Sequence, residues 1–501
     1  MSPRIRVLLF AAVGAALGIY IGVDLADESY GLAVLVALVA LWIIAERASK
    51  SPPEAWLMGV LIVGYIVGNR GFAQIQPSPS IPLLPAEAVL LVAVPLLIAR
   101  SAIKQANAFR KDFLNIAILI WVIFGAIRLP IDIGRFGVLA LRDFAMAYYA
   151  VYFFIAQALG DNVTSTRVLT RSFTVAFALL IPTVISIQIS PDFLYDHFTW
   201  SGVPIIYHKS DLIATSLAAG FFWLWTRGNA SGNRIWFVLS ATSLLLIGLM
   251  ASPRAAMTAI AVTTVVWLLA GRWKIAVAQV GIVSVAAILG IAALSFTGKD
   301  LKTSIPYSMY EHAISIFDPA GTGTYINGES GDPGSNNQFR LVWWRDVIGQ
   351  TLSTNPAFGL GYGADLSTQF LIDYDLISDE TFAARSPHSM IVTVFGRTGV
   401  VGLAAWLVVI AAISQAIWRL IKSGEPDGSG LASVVCVVGT SACFGVVLEG
   451  PMGAVLFWTA LGLANSRLKQ SSTSGETRPV TEASPQAPDD WQVAKAGTFD
   501  T

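Results

Sequence analysis

Apolar stretches recur along the chain at a length that suits neither a core helix nor a strand. Taking about 17–25 residues as enough to cross a bilayer, the apolar cores fall at 7–23, 31–45, 55–68, 86–99, 113–127, 144–158, 170–188, 211–226, 235–250, 255–270, 275–296, 389–417, 431–449 and 452–466. Several are short and borrow flanking residues. The pattern predicts an all-α polytopic integral membrane protein with about 14 (12–14) transmembrane helices. The division expected is a bundle of the first eleven or so helices over 1–296, a long outer segment at 297–387, the last three helices over 388–466, and a polar tail over 467–501. That tail is rich in Ser, Thr, Pro and Asp and lacks apolar periodicity, so it reads as disordered. The first run lacks a small-residue cleavage site and reads as a retained span.

Composition agrees with lipid as the main solvent: 55% of the 501 residues are apolar and 13% charged, where soluble domains carry roughly 25% charge. Net charge is zero, with 32 basic and 32 acidic residues, so no overall field draws the chain to nucleic acid. Cys436 and Cys443 lie in one apolar run, which excludes a disulfide framework or a thiolate metal site.

Charge placement sets the orientation. Alternate connections hold 20 of the 32 basic residues, among them Arg47/Lys50, Arg100/Lys104/Arg110/Lys111, Arg227/Arg234 and Arg419/Lys422. Basic residues are retained on the cytoplasmic side. This predicts cytoplasmic termini and places the 297–387 segment on the outer, periplasmic face. The spans themselves are nearly free of charge, which disfavours a coupled transporter, whose ionisable groups sit near the midplane. Gly14, Gly18 and Gly22 form a small-residue stripe suited to helix packing.

The residues with chemistry to offer are therefore on the outer side. Gly321 to Asn337 reads as flexible loop, followed by an amphipathic run in which Arg340, Trp344 and Ile348 share a helix side. Trp343 and Trp344 suit a bilayer interface. Arg254 stands in the short turn Ala251-Ser252-Pro253-Arg254, where its planar fork could grip a diphosphate or cap a helix end. His388, in Ser386-Pro387-His388-Ser389, could act as a rim general base or as a hydrogen-bonded structural residue. Asn355-Pro356-Ala357-Phe358-Gly359-Leu360-Gly361-Tyr362-Gly363 favours a tight turn over a nucleotide loop, because the strand-and-helix context is missing. Arg142, Lys209, Arg70, Arg128 and Arg135 are further outer cations; Arg142 and Lys209 are carried forward as candidate substrate contacts. No acidic pair has convincing metal-ligand spacing, although Asp373, Asp375, Asp379 and Glu380 leave a cation site open.

The order of these pieces resembles the O-antigen ligase and O-antigen polymerase superfamily over roughly residues 210–466: Ser-Pro-Arg in an outer turn, Arg-x-x-x-Trp, Pro-x-x-Gly-x-Gly-x-Gly, then Pro-His-Ser and Gly-x-x-Gly-x-x-Gly, with Leu448-Glu449-Gly450-Pro451 before the last span. The resemblance implies a multi-spanning glycosyltransferase of the bacterial inner membrane, taking its glycan from an undecaprenyl-diphosphate carrier and needing no metal cofactor. Arg254 and Arg340 would meet the diphosphate, His388 the acceptor hydroxyl. Where the family carries His-Asn, this chain reads His388-Ser389. A ligase acting on a glycan or glycolipid acceptor is the leading expectation, a polymerase of O-antigen or exopolysaccharide the alternative, and a lipid-linked-glycan transporter or an assembly scaffold the readings from other classes.

Overall fold

The computed structural model of the chain describes residues 51–476 apart from 77–82, 104–106, 201, 251–252, 298–304, 324, 326–332 and 374–384. The first two expected spans, the Gly14/Gly18/Gly22 stripe, Asp375, Asp379, Glu380 and the tail past Glu476 lie outside the described residues. Helices occupy the expected span positions from residue 53 onward. They are α1 (Pro53–Val63, prolonged by a π turn), α2 (Pro85–Ala102), α3 (Phe113–Phe136), α4 (Val151–Gly160), α5 (Val163–Ile189), α6 (Ser210–Ser231), α7 (Arg234–Leu246), α8 (Arg254–Leu269) and α9 (Lys274–Thr297). The outer segment contributes α10 (Ile305–Ser315) and α11 (Pro333–Thr354), and the chain ends in α12 (Met390–Ser423), α13 (Pro426–Ala442) and α14 (Pro451–Glu476). Among the described residues, five helical stretches are long and apolar enough to cross a membrane: Pro85–Ala102, Phe113–Phe136, Val138–Gly160, Val163–Ile189 and Met390–Ser423.

Short polar connections start these helices where side-chain oxygens can take the orphan amides of a first turn. Asp112 accepts from the Asn115 N–H (2.8 Å) at α3, Asn162 from Thr164 (2.9 Å) at α5, and Asn233 from Ile235 (3.0 Å) at α7. Several boundaries differ from expectation. α3 runs on to Phe136, so Arg128 and Arg135 stand on a helix rather than in a loop; Arg128 pairs with Asp132 one turn later at 2.9 Å, which stabilises a helical extension past Pro130. The sixth span is broken into Val138–Asp143, Ala145–Tyr148 and α4. α11 starts at Pro333, shortening the expected loop, because proline is preorganised for the first helical turn. The chain stays helical to Glu476, beyond the expected onset of the tail.

Packing follows membrane rules, where small residues and interhelical hydrogen bonds replace the hydrophobic drive. α14 lies along α4; a Cβ on Gly462 would collide with the Phe153 carbonyl, and one on Gly160 with Ser466. α6 is central, against α7, α13, α5 and α8. Ser240 and Ser243 on α7 donate to the Phe221 and Leu217 carbonyls of α6 (2.8 and 2.9 Å), and the Trp267 indole of α8 donates to Ser433 of α13 (2.9 Å). α3 meets α12 through Trp121 and Trp406, ring centres 5.1 Å apart.

The outer segment has a small core of its own, formed by Trp343, Val347, Leu366, Phe370 and Val392. Trp343 thus faces no bilayer: it is fully buried, stacked on Phe370 at 4.7 Å, with its indole N–H on the Leu366 carbonyl (2.6 Å). The segment is locked to the membrane bundle by the loop 355–363. α12 breaks at Gly399 (φ 66°), and the loop backbone fills the break: the Leu360 and Gly361 N–H groups donate to the Gly396 and Arg397 carbonyls (2.8 and 3.0 Å), and Val400 and Val401 donate back to Pro356 and Ala357 (2.9 and 3.1 Å). A Cβ on Gly399 would lie 2.5 Å from the Ala357 carbonyl, and one on Gly359 2.5 Å from the Gly399 nitrogen. The alternating glycines serve close backbone approach, as the absence of nucleotide-loop context implied. Gly399→Ala therefore adds both a left-handed strain and a clash, and should cost about 1–3 kcal/mol, read as a lower Tm of the detergent-solubilised protein. An unchanged Tm would mean that the loop yields freely.

Candidate active site

The interlocked loop is held by buried charges at the outer helix ends. Arg397, on the second turn of α12, is 2% exposed; it bonds Asp143 at 2.6 Å and the Ala364 carbonyl at 3.2 Å. Asp143 also accepts from the Gly363 N–H (3.0 Å) and has Arg385 at 4.0 Å, while Arg385 donates to the Gly363 carbonyl (2.8 Å). On the other side, Asp132 accepts from the Tyr362 N–H (2.8 Å), and Arg128 reaches the Gly359 carbonyl (3.3 Å). Desolvating such pairs offsets most of their attraction, so they add little net stability but fix one arrangement.

This frame positions the outer-segment helix α11 against the bundle. Arg254 opens α8, and its guanidinium donates to Asn337 Oδ1 at 2.7 Å. Asn337 in turn donates to the Ser315 and Asp318 carbonyls (2.9 and 2.7 Å), so one amide fixes both the arginine and the end of α10. Arg340, one helical turn after Asn337, donates to the Phe444 carbonyl (2.9 Å) in the connection between α13 and α14. Arg254 and Arg340 line one cavity of about 170 Å³ together with Thr258, Ser315, Asn337 and Trp344. A cation at the first residue of α8 adds to the positive end of that helix dipole, an arrangement unfavourable to the helix and favourable to an anion.

His388 sits at the mouth of α12. Its backbone is left-handed (φ 54°), an uncommon state for a non-glycine residue that costs of order 1–3 kcal/mol and persists where its surroundings fix it. The ring lies 5.8 Å from that of Trp343, and the Trp344 indole donates to the Pro387 carbonyl (2.6 Å). Burial, with Arg340 and Lys209 beside it, holds the His388 pKa down to about 4, against the pull of Asp211. The imidazole is therefore neutral at pH 7, the form that can accept a proton. Burial lowers the Arg340 pKa as well, again opposed by Asp211; the guanidinium keeps its charge across the physiological range.

Of the sequence candidates, Arg254, Arg340 and His388 come together, and Lys209 joins them through its pair with Asp211 (3.3 Å). Arg142 does not: it is exposed on the Val138–Asp143 helix, and its neighbour Asp143 is the group turned into the frame. Asp211 and Asn337 were not singled out by the sequence. Asp211 follows Lys209 by two residues at the start of α6, where an acidic residue ordinarily serves the helix dipole. Among the described residues, no group of three His, Cys, Asp or Glu side chains is placed to hold a metal ion.

The fold is that of a mostly helical protein with several helices long and apolar enough to cross a membrane, and its candidate site joins an arginine-lined cavity to a neutral histidine beside Arg340. The family model described as O-antigen ligase matches residues 239–407 of the chain. The match contains Arg254, Arg340 and His388; Lys209, Asp211 and Phe444 complete the site from outside it. No curated protein matches the chain.

Removing Arg397 tests the frame. Arg397→Leu leaves Asp143 half-paired beside Arg385 and should cost about 3 kcal/mol, seen as a fall in Tm that Asp143→Asn partly restores in the double variant. Equal Tm values in wild type and Arg397→Leu would contradict a positional role for the pair.

Proposed function

We propose that the protein is an O-antigen-ligase-type glycosyltransferase in cell-surface glycan assembly. It transfers a glycan from an undecaprenyl-diphosphate carrier to an acceptor hydroxyl on the periplasmic side of the bacterial inner membrane. The observation that carries this reading is the shared cavity of Arg254 and Arg340. Cleaving the bond between the anomeric carbon and the phosphate oxygen leaves charge on the diphosphate, and donors already aimed there stabilise the transition state. Two guanidiniums, each able to give paired hydrogen bonds, suit that oxygen-rich leaving group. As the acceptor oxygen bonds to the anomeric carbon, its proton passes to the neutral imidazole of His388. The carrier is a substrate, and the chemistry asks for no cofactor. The cavity of about 170 Å³ has room for a headgroup and not for a polymer, so the glycan would extend into the periplasm.

Glycan profiling of a deletion strain complemented with wild type, His388→Ala or Arg340→Lys tests this. Both variants should insert and accumulate normally yet leave long polymer on the carrier, with none on the acceptor for His388→Ala. Arg340→Lys should lose about 10- to 100-fold in transfer despite its charge, because an ammonium cannot reproduce the fork. Accumulation of single repeat units would instead make the protein a polymerase, an unchanged profile in the uncomplemented deletion strain would overturn the transferase reading, and variants that complement like wild type would overturn the roles of His388 and Arg340. The pH dependence is a separate check. Since protonation disables the base and the His388 pKa lies at about 4, transfer should hold through the mildly acidic range and fall only near about pH 4. A limb at the ordinary histidine value of about 6.5 would contradict the buried, neutral imidazole.

A further inference from the structure

The turn that carries His388 is clamped from a part of the chain that takes no part in the chemistry proposed. Glu449, in the connection between α13 and α14, accepts hydrogen bonds through one carboxylate oxygen from Ser386 (2.7 Å) and Thr393 (3.0 Å). The two hydroxyls are also 3.0 Å from each other. Ser386 is buried two residues before His388 and Thr393 is buried in the first turn of α12, so the carboxylate bridges the two flanks of the left-handed residue. The Thr393 N–H donates to the Ser389 carbonyl (2.8 Å), and the Trp344 indole holds Pro387 from the opposite side. Burial raises the Glu449 pKa, while the two hydroxyl donors and Arg397 act to lower it. Glu449 thus also feels the Arg397–Asp143 frame.

We infer that Glu449 is a positioning residue: it fixes the Ser386-Pro387-His388 turn so that the imidazole is presented beside Arg340, Lys209 and Asp211. The inference rests on the transferase reading above and adds to it a residue outside the family match. A left-handed histidine relaxes when its clamp is removed, and a displacement of about 1 Å at a reacting group can cost about 100-fold in rate. What the clamp requires is an acceptor oxygen, which a glutamine supplies and an alanine does not.

The test is steady-state transfer by the purified full-length protein, with undecaprenyl-diphosphate-linked glycan as donor, for wild type, Glu449→Ala, Glu449→Gln, Ser386→Ala and His388→Ala. Glu449→Ala should lower kcat by about 100-fold while leaving the donor KM within about threefold, because the arginines still grip the diphosphate. Glu449→Gln should recover to within about fivefold of wild type. Ser386→Ala, which deletes one donor and keeps the carboxylate, should fall between them and serves if Glu449→Ala does not accumulate. Normal kcat in Glu449→Ala, an equal loss in Glu449→Gln, or a loss confined to KM would overturn the inference. Wild type and His388→Ala separate the two levels: no transfer by wild type overturns the transferase reading, transfer by His388→Ala at the wild-type rate overturns the role of His388 and with it the positioning role, and an inactive His388→Ala beside a normal Glu449→Ala removes only the positioning role.

Discussion

Everything around the candidate site depends on a backbone-to-backbone fit between the 355–363 loop and the break in α12 at Gly399. Two chain segments approach there more closely than any side chain permits, with Gly359 and Gly399 both at positive φ. The fit makes four exchanged hydrogen bonds, which satisfy amides and carbonyls that an interrupted helix would leave bare. A helix can be broken at membrane depth only where the freed groups find protein partners. The loop is that partner, and in return it is held in one register.

Once that register is set, the charged groups have one arrangement to adopt. Arg397, Arg385 and Asp143 tie the far end of the loop, and Arg128 and Asp132 tie the near side. The outer-segment helix α11 is then presented with Arg340 facing the connection at Phe444 and Asn337 facing Arg254. Fixed guanidiniums suit an anion that must be bound at the moment charge develops, because their orientation has already been set in folding. The same frame reaches His388 through Thr393 and Ser386. Site and scaffold are therefore parts of one polar network at the ends of the helices.

The helical class was more legible in the sequence than this frame. Apolar run lengths located helices from residue 53 onward, and Arg254, Arg340 and His388 stood out as charged or titratable residues among apolar outer turns. The break at Gly399 was hidden because the apolar run resumes at Val400 and keeps the length of a single span. Arg397 was the available signal: a cation eight positions into an apolar helix needs a buried partner, which proved to be Asp143, the neighbour of the arginine that had drawn attention. The apolar core ends at residue 127, and the Arg128–Asp132 pair carries α3 on to Phe136. Asn337 and Glu449 were quoted within motifs without a role, since only the tertiary fold sets an amide against Arg254 and a carboxylate against the His388 turn.

In the proposed reaction Arg254 and Arg340 act on one diphosphate. The most direct measurement is a binding cycle: the Kd of undecaprenyl diphosphate for wild type, Arg254→Ala, Arg340→Ala and the double variant, in nanodiscs at fixed ionic strength. Two arginines gripping one group should be coupled, so the double variant departs from the sum of the single losses by about 0.5–3 kcal/mol. Strictly additive losses, or a Kd insensitive to either substitution, would place the two residues at separate tasks and contradict the account.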